Sequence, residues 1–476
     1  MAAARSSRSA TARTEARSQV LTDTEPSVGE IDRGPPPPLD HDPNPGPLRA
    51  ALHLAYDLTW IVCVLVSSPW WLTRALFDRE WRAMVLGRLT LDLDWLPERT
   101  GSQRVMIHGV SVGEVKAAQS LIQALRVSRP EIEIVVSTST NTGVEVANNL
   151  YPDLSVVRFP LDSSFLIRRF LRRVAPTSVI LMELEIWPNF LREANRWGVP
   201  VAVVNGRITR VSFSRYGIFK RLLPQFNRLT LVCAQDERYA DRFEALSLPR
   251  ERLVVTGNLK VDGLRTGPVD PGVELTRMAG VRAGQFTLVA GSTHDPEERQ
   301  IVQAARKGVP DMKVILVPRH PVRTAEVTRA LNQIGEKPQL LTRLRNGSEQ
   351  PDPDKPLIVD TIGELEQVYG LADIVFVGGS LVPHGGQNML EPSAQGLPVL
   401  YGPNVSNFRQ EASFLEEVGA AERVANPSQL ATALRRLLDD EDTRNRMARA
   451  GIESVEKQRG AAKLTFDALV VRFFQV

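Results

Sequence analysis

The 476-residue sequence is poor in the residues that hold small domains together covalently or through metal ions. It contains two cysteines, Cys63 and Cys233, and six histidines, with no C-x-x-C pair and no Cys/His cluster. This composition excludes a disulfide framework and argues against a structural zinc site. The formal net charge is only +3, from 58 Lys and Arg against 55 Asp and Glu, so no global field indicates nucleic-acid binding. We expect a reducing compartment and no nucleic acid as a partner.

Motifs for the common nucleotide cofactors are also missing. The sequence has neither a Walker loop nor G-x-G-x-x-G, and it has no H-E-x-x-H metalloprotease motif. ATP and NAD chemistry therefore receive no support from motifs. The length still exceeds the ~250–300 residues at which single cores stop growing, so we expect at least two domains.

What the sequence does have is a repeated alternation of short β-branched runs with helical patterns, which predicts parallel strands and crossover helices. The alternation of strand and helix patterns is interrupted by a Gly/Pro-containing stretch and then resumes. This predicts two Rossmann-like domains of an α/β protein facing a cleft. The predicted strands are 104–108, 132–137, 156–159, 179–182, 201–204, 229–234 and 253–256, then 286–290, 314–317, 357–359, 374–377 and 399–401. The predicted divisions are a tail over 1–50, a membrane-anchor helix over 51–80, a first domain over 81–262, a linker over 263–284 and a second domain over 285–476.

The N-terminal region divides into a polar tail and an apolar segment. Residues 1–50 hold eight of the 33 prolines and lack a hydrophobic period, so we interpret them as a disordered tail; an organelle transit peptide is the alternative. Leu58–Thr73 is a sixteen-residue run without charge, and its tryptophans are typical of a membrane interface. A buried first helix of the globular body is the other interpretation, because a full span needs ~20 apolar residues.

Two acidic motifs stand out in the first half. Glu114, in the stretch HGVSVGE, lies at a predicted strand-to-helix turn, where it is either a first-turn helix acid or a general base. Glu183 and Glu185 follow the apolar strand 179–182, and burying such acids is costly unless they are paired or used. We also note two groups of basic residues that would suit an anionic lipid headgroup: Arg168, Arg169, Arg172 and Arg173, then Arg207, Arg210, Arg215, Lys220 and Arg221.

The second half carries polar turns at predicted strand ends. Arg319 and His320, in VPRHP, are candidates for a phosphate or carboxylate, or belong to an ordinary loop. The stretch 378–392 has paired glycines, whose backbone N–H groups can approach an anion. Asn388 stands at a predicted helix opening, and Glu391 is placed to meet ribose hydroxyls.

Taken in order, the motifs closely resemble those of the 3-deoxy-D-manno-octulosonic acid (Kdo) transferases of lipid A assembly. The resemblance runs from about Ile107 to Phe408. It rests on the motifs HGVSVGE, TSTNTG, MELEIWPN, NGR, GNLKVD, GSTH, VPRHP, DTIGEL, FVGGSLVPHGGQNMLEP and YGPNVSNF. It implies a GT-B glycosyltransferase with an N-terminal membrane-associating helix, which we expect at the cell inner membrane. Basic residues follow the apolar segment and favour catalytic domains on the cytoplasmic side: Arg74, Arg79, Arg82 and Arg88. The resemblance also implies the donor CMP-Kdo, the acceptor lipid IVA and inversion at the transferred sugar.

The resemblance assigns roles to individual residues. Glu114 is implied as the general base, and Glu183 and Lys260 as stabilisers of the transition state. The residues implied to contact the CMP of the donor are Pro318, Arg319, Ile362, Gly363, Glu364, Asn388, Met389, Leu390 and Glu391. Three departures from the family pattern are Gln387 for His, Ile362 for Met and Gly206 for Ala, and none removes an implied catalytic residue.

We expect no metal and no other cofactor, since the leaving CMP carries one phosphate that Lys260, Arg319 and a helix N-terminus can neutralise. Two other functions remain as alternatives at this point. One is a nucleotide-sugar epimerase of the same fold, against which the apolar segment argues. The other is a noncatalytic membrane-anchored binding protein.

Overall fold

A computed structural model describes residues 46–219 and 225–474. Most of the predicted tail, and the basic residues Lys220 and Arg221, lie outside these ranges. The end of the predicted tail is helical, because helix α1 begins at Pro47. Proline suits this first helical position, since its fixed φ is already helical and its missing N–H would have no partner there. The tail prediction is therefore wrong for residues 47–50.

The chain forms two compact units, and the first contains the N-terminal half together with residues from Gln458 onward. Its seven strands are all parallel, in the order β3-β2-β1-β4-β5-β6-β7. The order reverses between β1 and β4, which is where ligands bind in open α/β sheets. The strands are β1 Arg104–His108, β2 Glu133–Thr138, β3 Ser155–Arg158, β4 Ser178–Met182, β5 Val201–Gly206, β6 Leu231–Ala234 and β7 Leu253–Val255. The helices are α1 Pro47–Phe77, α2 Arg79–Arg88, α3 Val112–Ala117, α4 Gln119–Ser128, α5 Asn141–Leu150, α6 Ser164–Val174, α7 Pro188–Arg196, α8 Arg210–Phe219, α9 Glu237–Ala245 and α10 Leu259–Asp262.

The central strands of this sheet are buried on both faces, as their continuous apolar runs predict. Alternate residues enter opposite layers. Met106 belongs to a core with Phe170 and Phe190, whereas Val105 and Ile107 belong to a core on the other face. The two helical layers leave the carboxyl ends of the strands to the polar loops that carry the candidate site.

The second unit spans Leu264–Lys457 and repeats the design. Its parallel strands run in the order β10-β11-β9-β8-β12-β13-β14, with the reversal between β8 and β12. The strands are β8 Thr287–Thr293, β9 Lys313–Pro318, β10 Gln339–Leu340, β11 Leu357–Ile358, β12 Ile374–Val377, β13 Val399–Tyr401 and β14 Ala421–Arg423. The helices are α11 Val273–Ala279, α12 Glu297–Gly308, α13 Thr324–Asn332, α14 Leu341–Arg345, α15 Leu365–Tyr369, α16 Leu390–Ala394, α17 Arg409–Glu417, α18 Pro427–Asp439 and α19 Glu441–Glu456.

The last helix, α20 (Ala461–Phe473), belongs to the first unit and not to the second, where the sequence had placed it. Its Leu469 and the following Phe474 are buried in the core that contains Ile107. Asp262 fixes the start of α20 by accepting hydrogen bonds from the backbone N–H groups of Gly460, at 2.8 Å, and Ala462. The predicted linker 263–284 also differs, since it contains α11 and lies within the second unit from Leu264 onward.

Helix α1 is long, apolar and largely exposed. Its 31 residues extend over ~46 Å at 1.5 Å per residue. By length and composition it is able to cross a membrane, and only 6% of its most apolar window is buried. Leu65 and Val66 are 64% and 76% exposed. The interpretation of this segment as a buried core helix is therefore wrong.

Candidate active site

The carboxylate of Glu114 lies at the carboxyl end of β1, beside the strand reversal. Ser111 is the N-cap of α3, and its Oγ accepts a hydrogen bond from the Glu114 N–H. The Glu114 carboxylate in turn accepts from the Val110 N–H and from the Ser111 hydroxyl, both at 2.8 Å. Burial and the neighbouring Glu183 raise the pKa of Glu114. A carboxylate with a raised pKa at a ligand-binding edge is suited to general-base catalysis.

The TSTNTG stretch supports the turn that carries Glu114. The hydroxyls of Thr138 and Thr140 both donate to the Val110 carbonyl, at 3.2 and 3.3 Å. A Cβ on Gly143 would lie 2.4 Å from Thr138 Oγ1 and 2.7 Å from Thr140 Oγ1. Glycine is required there because any side chain would push the threonines away from Val110.

Glu183 and Lys260 form an ion pair next to Glu114. Lys260 Nζ donates to Glu183 Oε1 at 2.6 Å, and the side chains are 33% and 22% exposed. Glu183 has a φ of +58°, an uncommon conformation for a non-glycine residue that is often found at functional sites. The chain after β4 therefore does not stay extended, and it still brings Glu183 close enough to influence Glu114.

Asn205, at the end of β5, holds the short helix that carries Lys260. It is fully buried and has a φ of +55°. Its Oδ1 accepts from the Leu259 N–H at 3.0 Å, and the N-cap residue Asn258 accepts from the Lys260 N–H, also at 3.0 Å. Two asparagines thus fix the start of α10 and so the position of the ammonium group.

Glu185 is a third carboxylate in the same cluster. Trp187 Nε1 donates to Glu185 Oε2 at 2.9 Å. Burial, together with the charges of Glu114 and Glu183, raises the pKa of Glu185 to about 7. Three carboxylates beside one lysine make proton occupancy of this site sensitive to pH near neutrality.

Gly109–Gly113 also reads G-x-S-x-G, the pattern of a hydrolase nucleophile elbow. The structure gives Ser111 a different role, because its hydroxyl contacts Glu114 and not a histidine. The nearby His108 is buried and lies 3.1 Å from the Ser137 carbonyl through Nδ1. Ser111 is a helix cap and a hydrogen-bond partner of Glu114.

In the second unit, the loop with the glycine pair after β12 binds a carboxylate through its backbone N–H groups, and that carboxylate is the side chain of Glu297. The N–H groups of Gly379, Ser380 and Leu381 donate to the buried carboxylate of Glu297 at 2.6, 3.0 and 2.8 Å. A Cβ on Gly378 would lie 2.6 Å from the Ser292 carbonyl oxygen, so this loop packs tightly on the end of β8. These three N–H groups are therefore bound to Glu297, which fixes the conformation of the loop.

Three imidazoles meet at the reversal of the second sheet. The rings of His294 and His384 stack with centroids 4.3 Å apart, and His320 lies 6.1 Å from His294. Burial and the surrounding His384, His320, Arg323 and Arg319 lower the pKa of His294 to about 4. Gln387 Nε2 lies 3.3 Å from His294 Nε2. Arg323 is already paired with Glu298 at 2.9 Å, so the exposed Arg319 is the positive group here that suits an anionic ligand.

Four of the predicted donor contacts, Asn388 to Glu391, lie at the start of α16. Asn388 Oδ1 accepts from the Leu390 N–H at 3.1 Å, and Asn388 Nδ2 donates to Glu391 Oε1 at 3.0 Å, so both polar side chains stand at the start of α16 as expected. Met389 and Leu390 have buried side chains, which leaves only their backbone groups for a ligand.

The remaining predicted donor residues lie in two other loops. Arg319 is exposed directly after the buried Pro318, and its N–H donates to the Thr293 carbonyl at 3.0 Å. Ile362 is 86% exposed and Gly363 has a φ of +90°. Arg345 forms two 2.7 Å hydrogen bonds to Glu364 and lowers its pKa.

The basic groups noted in the sequence are partly used inside the fold. Arg173 donates to the backbone carbonyls of Asp94 and Leu96, and Arg168 pairs with Glu193 at 3.9 Å. Exposed residues of these groups are Arg168, Arg169, Arg172, Arg210 and Arg215. Within the described ranges, no group of three or more His, Cys, Asp or Glu residues is arranged to hold a metal ion.

Solved structures share the two-sheet architecture. A UDP-GlcNAc 2-epimerase from Neisseria meningitidis aligns with a TM-score of 0.54 over 77% of this chain and all of that chain, at 13% identity. A glycosyltransferase from Rickettsia africae aligns with a TM-score of 0.53 over 78% and 99% of the two chains, also at 13% identity. Identities this low show the fold alone, and the fold is GT-B, as predicted.

Sequence comparison identifies the family. The family model described as "3-Deoxy-D-manno-octulosonic-acid transferase (kdotransferase)" matches residues 88–263. A 3-deoxy-D-manno-octulosonic acid transferase from Haemophilus influenzae is 36% identical over 375 residues, which cover 77% of this chain and 86% of the relative. One from Bordetella pertussis is 32% identical over 385 residues, with coverages of 77% and 86%. With Glu114, Glu183 and Lys260 gathered at one sheet edge, the chain belongs to the 3-deoxy-D-manno-octulosonic acid transferases and is a glycosyltransferase rather than an epimerase or a noncatalytic binding protein.

Proposed function

We propose that the enzyme transfers Kdo from CMP-Kdo to lipid IVA, with inversion, in lipopolysaccharide biosynthesis. The observation that carries this proposal is the Glu114 carboxylate, which lies at the strand reversal beside the Glu183–Lys260 pair and has a raised pKa. A general base needs a pKa near the working pH and a position that the acceptor can reach. The family membership supplies the sugar, and the exposed helix α1 favours a lipid acceptor.

In the proposed reaction, a hydroxyl of the acceptor attacks the anomeric carbon of Kdo. Glu114 takes the hydroxyl proton, a new carbon–oxygen bond forms, and the bond between that carbon and the CMP phosphate oxygen breaks. The electron pair of the broken bond leaves with CMP. Lys260 supplies positive charge, and Glu183 fixes the ammonium at 2.6 Å, so the charge need not reorganise during the reaction.

The second unit is proposed to bind the donor. Arg319, the histidines around His294, and the Asn388–Glu391 pair stand at its strand ends, where nucleotides bind in such folds. The exposed guanidinium of Arg319 favours the phosphate of CMP or the carboxylate of Kdo. We propose that no metal ion takes part, as expected from the single phosphate of the leaving group.

Helix α1 is proposed to hold the enzyme at the inner membrane, with the catalytic body on the cytoplasmic side. Its apolar side chains are exposed. At its C-terminal end, Trp70 and Trp81 pack edge to face at 5.1 Å, and Arg74 lies over the Trp81 ring at 4.4 Å. Tryptophan and arginine at a helix end are typical of a membrane interface.

The proposal is tested by Glu114→Gln in the purified full-length enzyme. The amide keeps an oxygen for the Val110 N–H but takes no proton at neutral pH, so transfer should fall by at least about 10²-fold. Binding of CMP-Kdo, measured by calorimetry, should be unchanged. Transfer at the parent rate would remove Glu114 from the base role.

The acceptor is tested separately with the parent enzyme. Release of CMP from CMP-Kdo should depend on added lipid IVA, and mass spectrometry of the lipid product should show one or more added Kdo masses. CMP release at the same rate without lipid IVA would contradict the proposed acceptor while leaving the donor assignment standing.

A further inference from the structure

The exposed helix α1, Pro47–Phe77, is attached to the first unit through a polar junction at Asp57, about a third of the way along the helix. Asp57 of α1 accepts hydrogen bonds from the Ser164 N–H at 2.8 Å, the Ser164 hydroxyl at 2.6 Å and Asn189 Nδ2 at 2.9 Å. Arg192 lies 3.6 Å from the same carboxylate. The Asp57 side chain is only 20% exposed, so this part of α1 is fixed to the globular body while the rest remains open.

Two carboxylates in this junction replace the caps that two helices lack. The N-cap residues of α6 and α7, Ser163 and Trp187, make no side-chain capping hydrogen bond. Asp57 accepts from the first N–H of α6. Asp162 accepts from the N–H groups of Asn189 and Phe190 in the first turn of α7, at 3.0 and 2.8 Å. Acceptors at these positions satisfy donors that the helix leaves unpaired and favour its dipole.

Asn189 joins the two caps. Its Nδ2 donates to Asp57 Oδ1 and also, at 2.7 Å, to the Asp162 carbonyl. Asn189 is fully buried and Asp162 is 1% exposed, so removing either contact leaves a polar group without its partner in a low-dielectric environment. The start of α7 is therefore held by a residue of α1.

The loop that these contacts hold is part of the candidate active site. Only five residues, Glu183 to Trp187, connect the end of β4 to the start of α7. They include Glu183, which is held by Lys260, and Glu185, which is held by Trp187. A loop this short takes its geometry from its two ends, and a shift at Asn189 moves the carboxylates.

We propose that Asp57 and Asn189 are positioning residues that tie the exposed apolar helix α1 to the Glu183–Trp187 loop of the active site. The inference rests on the proposed function for the role of that loop. Helix α1 is then part of the scaffold of the site as well as an anchor. Its contacts through Asp57 fix the orientation of the site relative to the lipid surface in which α1 is proposed to lie.

The test uses the full-length enzyme in detergent, with Asp57→Ala, Asp57→Asn and the control Thr59→Ala. Thr59 is exposed on the same helix, and its hydroxyl donates to the Ala55 carbonyl of α1 at 2.8 Å. Asp57→Ala should lower kcat roughly 10–100-fold, because small misplacements of reacting groups cost this much, while the KM for CMP-Kdo stays at the parent value. Asp57→Asn keeps one acceptor oxygen and should fall between the parent and Asp57→Ala, and Thr59→Ala should match the parent.

Hydrogen exchange separates positioning from general destabilisation and needs no substrate. In Asp57→Ala, the backbone amides of Glu183–Trp187, Asn189 and Phe190 should exchange faster, while those of β5 stay at the parent rate. The proposal would be overturned if Asp57→Ala had the kcat of the parent enzyme and the same hydrogen-exchange rates in this loop. Acceleration that extends equally to β5 would assign Asp57 a purely structural role and also overturn it. If the parent enzyme fails to use lipid IVA, the proposed acceptor fails, but the exchange of the same backbone amides still decides the coupling.

Discussion

At the scale of single residues, the active site concentrates negative charge, which Lys260 offsets through its ion pair with Glu183. Glu114 and Glu185 both have raised pKa values, and that of Glu185 is about 7. The proposed base works when deprotonated, so activity should rise with pH as Glu114 loses its proton. The like charges oppose each other's ionisation, which places this rise at higher pH than an isolated glutamate would show.

Glu185→Gln tests this coupling. Removing the second charge makes deprotonation of Glu114 easier, so the acid limb of kcat/KM against pH should move to lower pH. The exposed Glu145→Gln on α5 serves as the control and should leave the limb in place. A limb that stays at the parent pH in Glu185→Gln would show that the charge of Glu185 does not act on the base.

The donor site permits a test that is independent of the base. Asn388→Ala removes a side chain that both accepts from Leu390 and donates to Glu391, and Arg319→Ala removes an exposed charge. Each should weaken CMP binding by ~1.5–3 kcal/mol if it contacts a charged group of the ligand, as measured by calorimetry. Glu145→Gln in the first unit should bind CMP like the parent. Parent-like binding by both alanine variants would place the nucleotide elsewhere.

At the scale of elements, the strands that form the two sheet centres were predictable from sequence, each within three residues. Their apolar β-branched runs are buried on both faces, which is a strong local signal. Gln339–Leu340 and Ala421–Arg423 were missed because they are two- and three-residue edge strands, and such short mixed segments have no period to detect.

Some residues of the candidate site were predictable from local sequence, whereas others were not. Glu114 follows an S-x-x-E start of a helix, which is a local signal. The Glu183–Lys260 pair joins residues 77 positions apart, and the roles of Asn205 and Thr138 arise from tertiary contacts. The available sequence signal for these contacts was a polar residue at or near the end of a predicted strand. Spacing alone does not show which backbone group such a side chain will bind.

The exposed part of α1 gives a prediction that belongs to the helix as a whole. Leu65→Glu with Val66→Glu places two charges in the middle of its apolar stretch, each costing about 2.5–3.5 kcal/mol at the centre of a span. The variant should no longer sediment with membranes and should be extracted without detergent. Leu76→Glu with Phe77→Glu, at the helix end where the cost is smaller, should remain bound. A double variant at 65 and 66 that still requires detergent would show that α1 does not insert.

At the scale of the whole molecule, the chain returns to the first unit after completing the second. No local sequence pattern indicates this return, because the residues of α20 are not clearly divided into an apolar and a polar face. Its hydrogen-bond partners also lie 198 to 345 positions earlier in the chain. Thr465 Oγ1 donates to Thr256 Oγ1 at 3.0 Å, and Arg129 Nη2 donates to the Phe474 carbonyl at 3.2 Å. The acceptor Asp262 at the start of α20 also lies in the motif that contains Lys260. The C-terminal helix therefore supports the wall of the active site.

This arrangement predicts that a cavity in α20 destabilises the first unit and leaves the second unchanged. Leu469 and Leu437 are both fully buried, Leu469 in the core of the first unit and Leu437 in that of the second. Replacing either with alanine should cost ~2–5 kcal/mol through lost burial and a residual cavity. In Leu469→Ala, hydrogen exchange should accelerate in β1 and β2, while β8 and β12 keep the parent rates. Leu437→Ala, the matched control, should give the reverse pattern. Acceleration of β8 and β12 by Leu469→Ala would instead assign the last helix to the second unit, because a lost core contact is felt first in the unit that contains it.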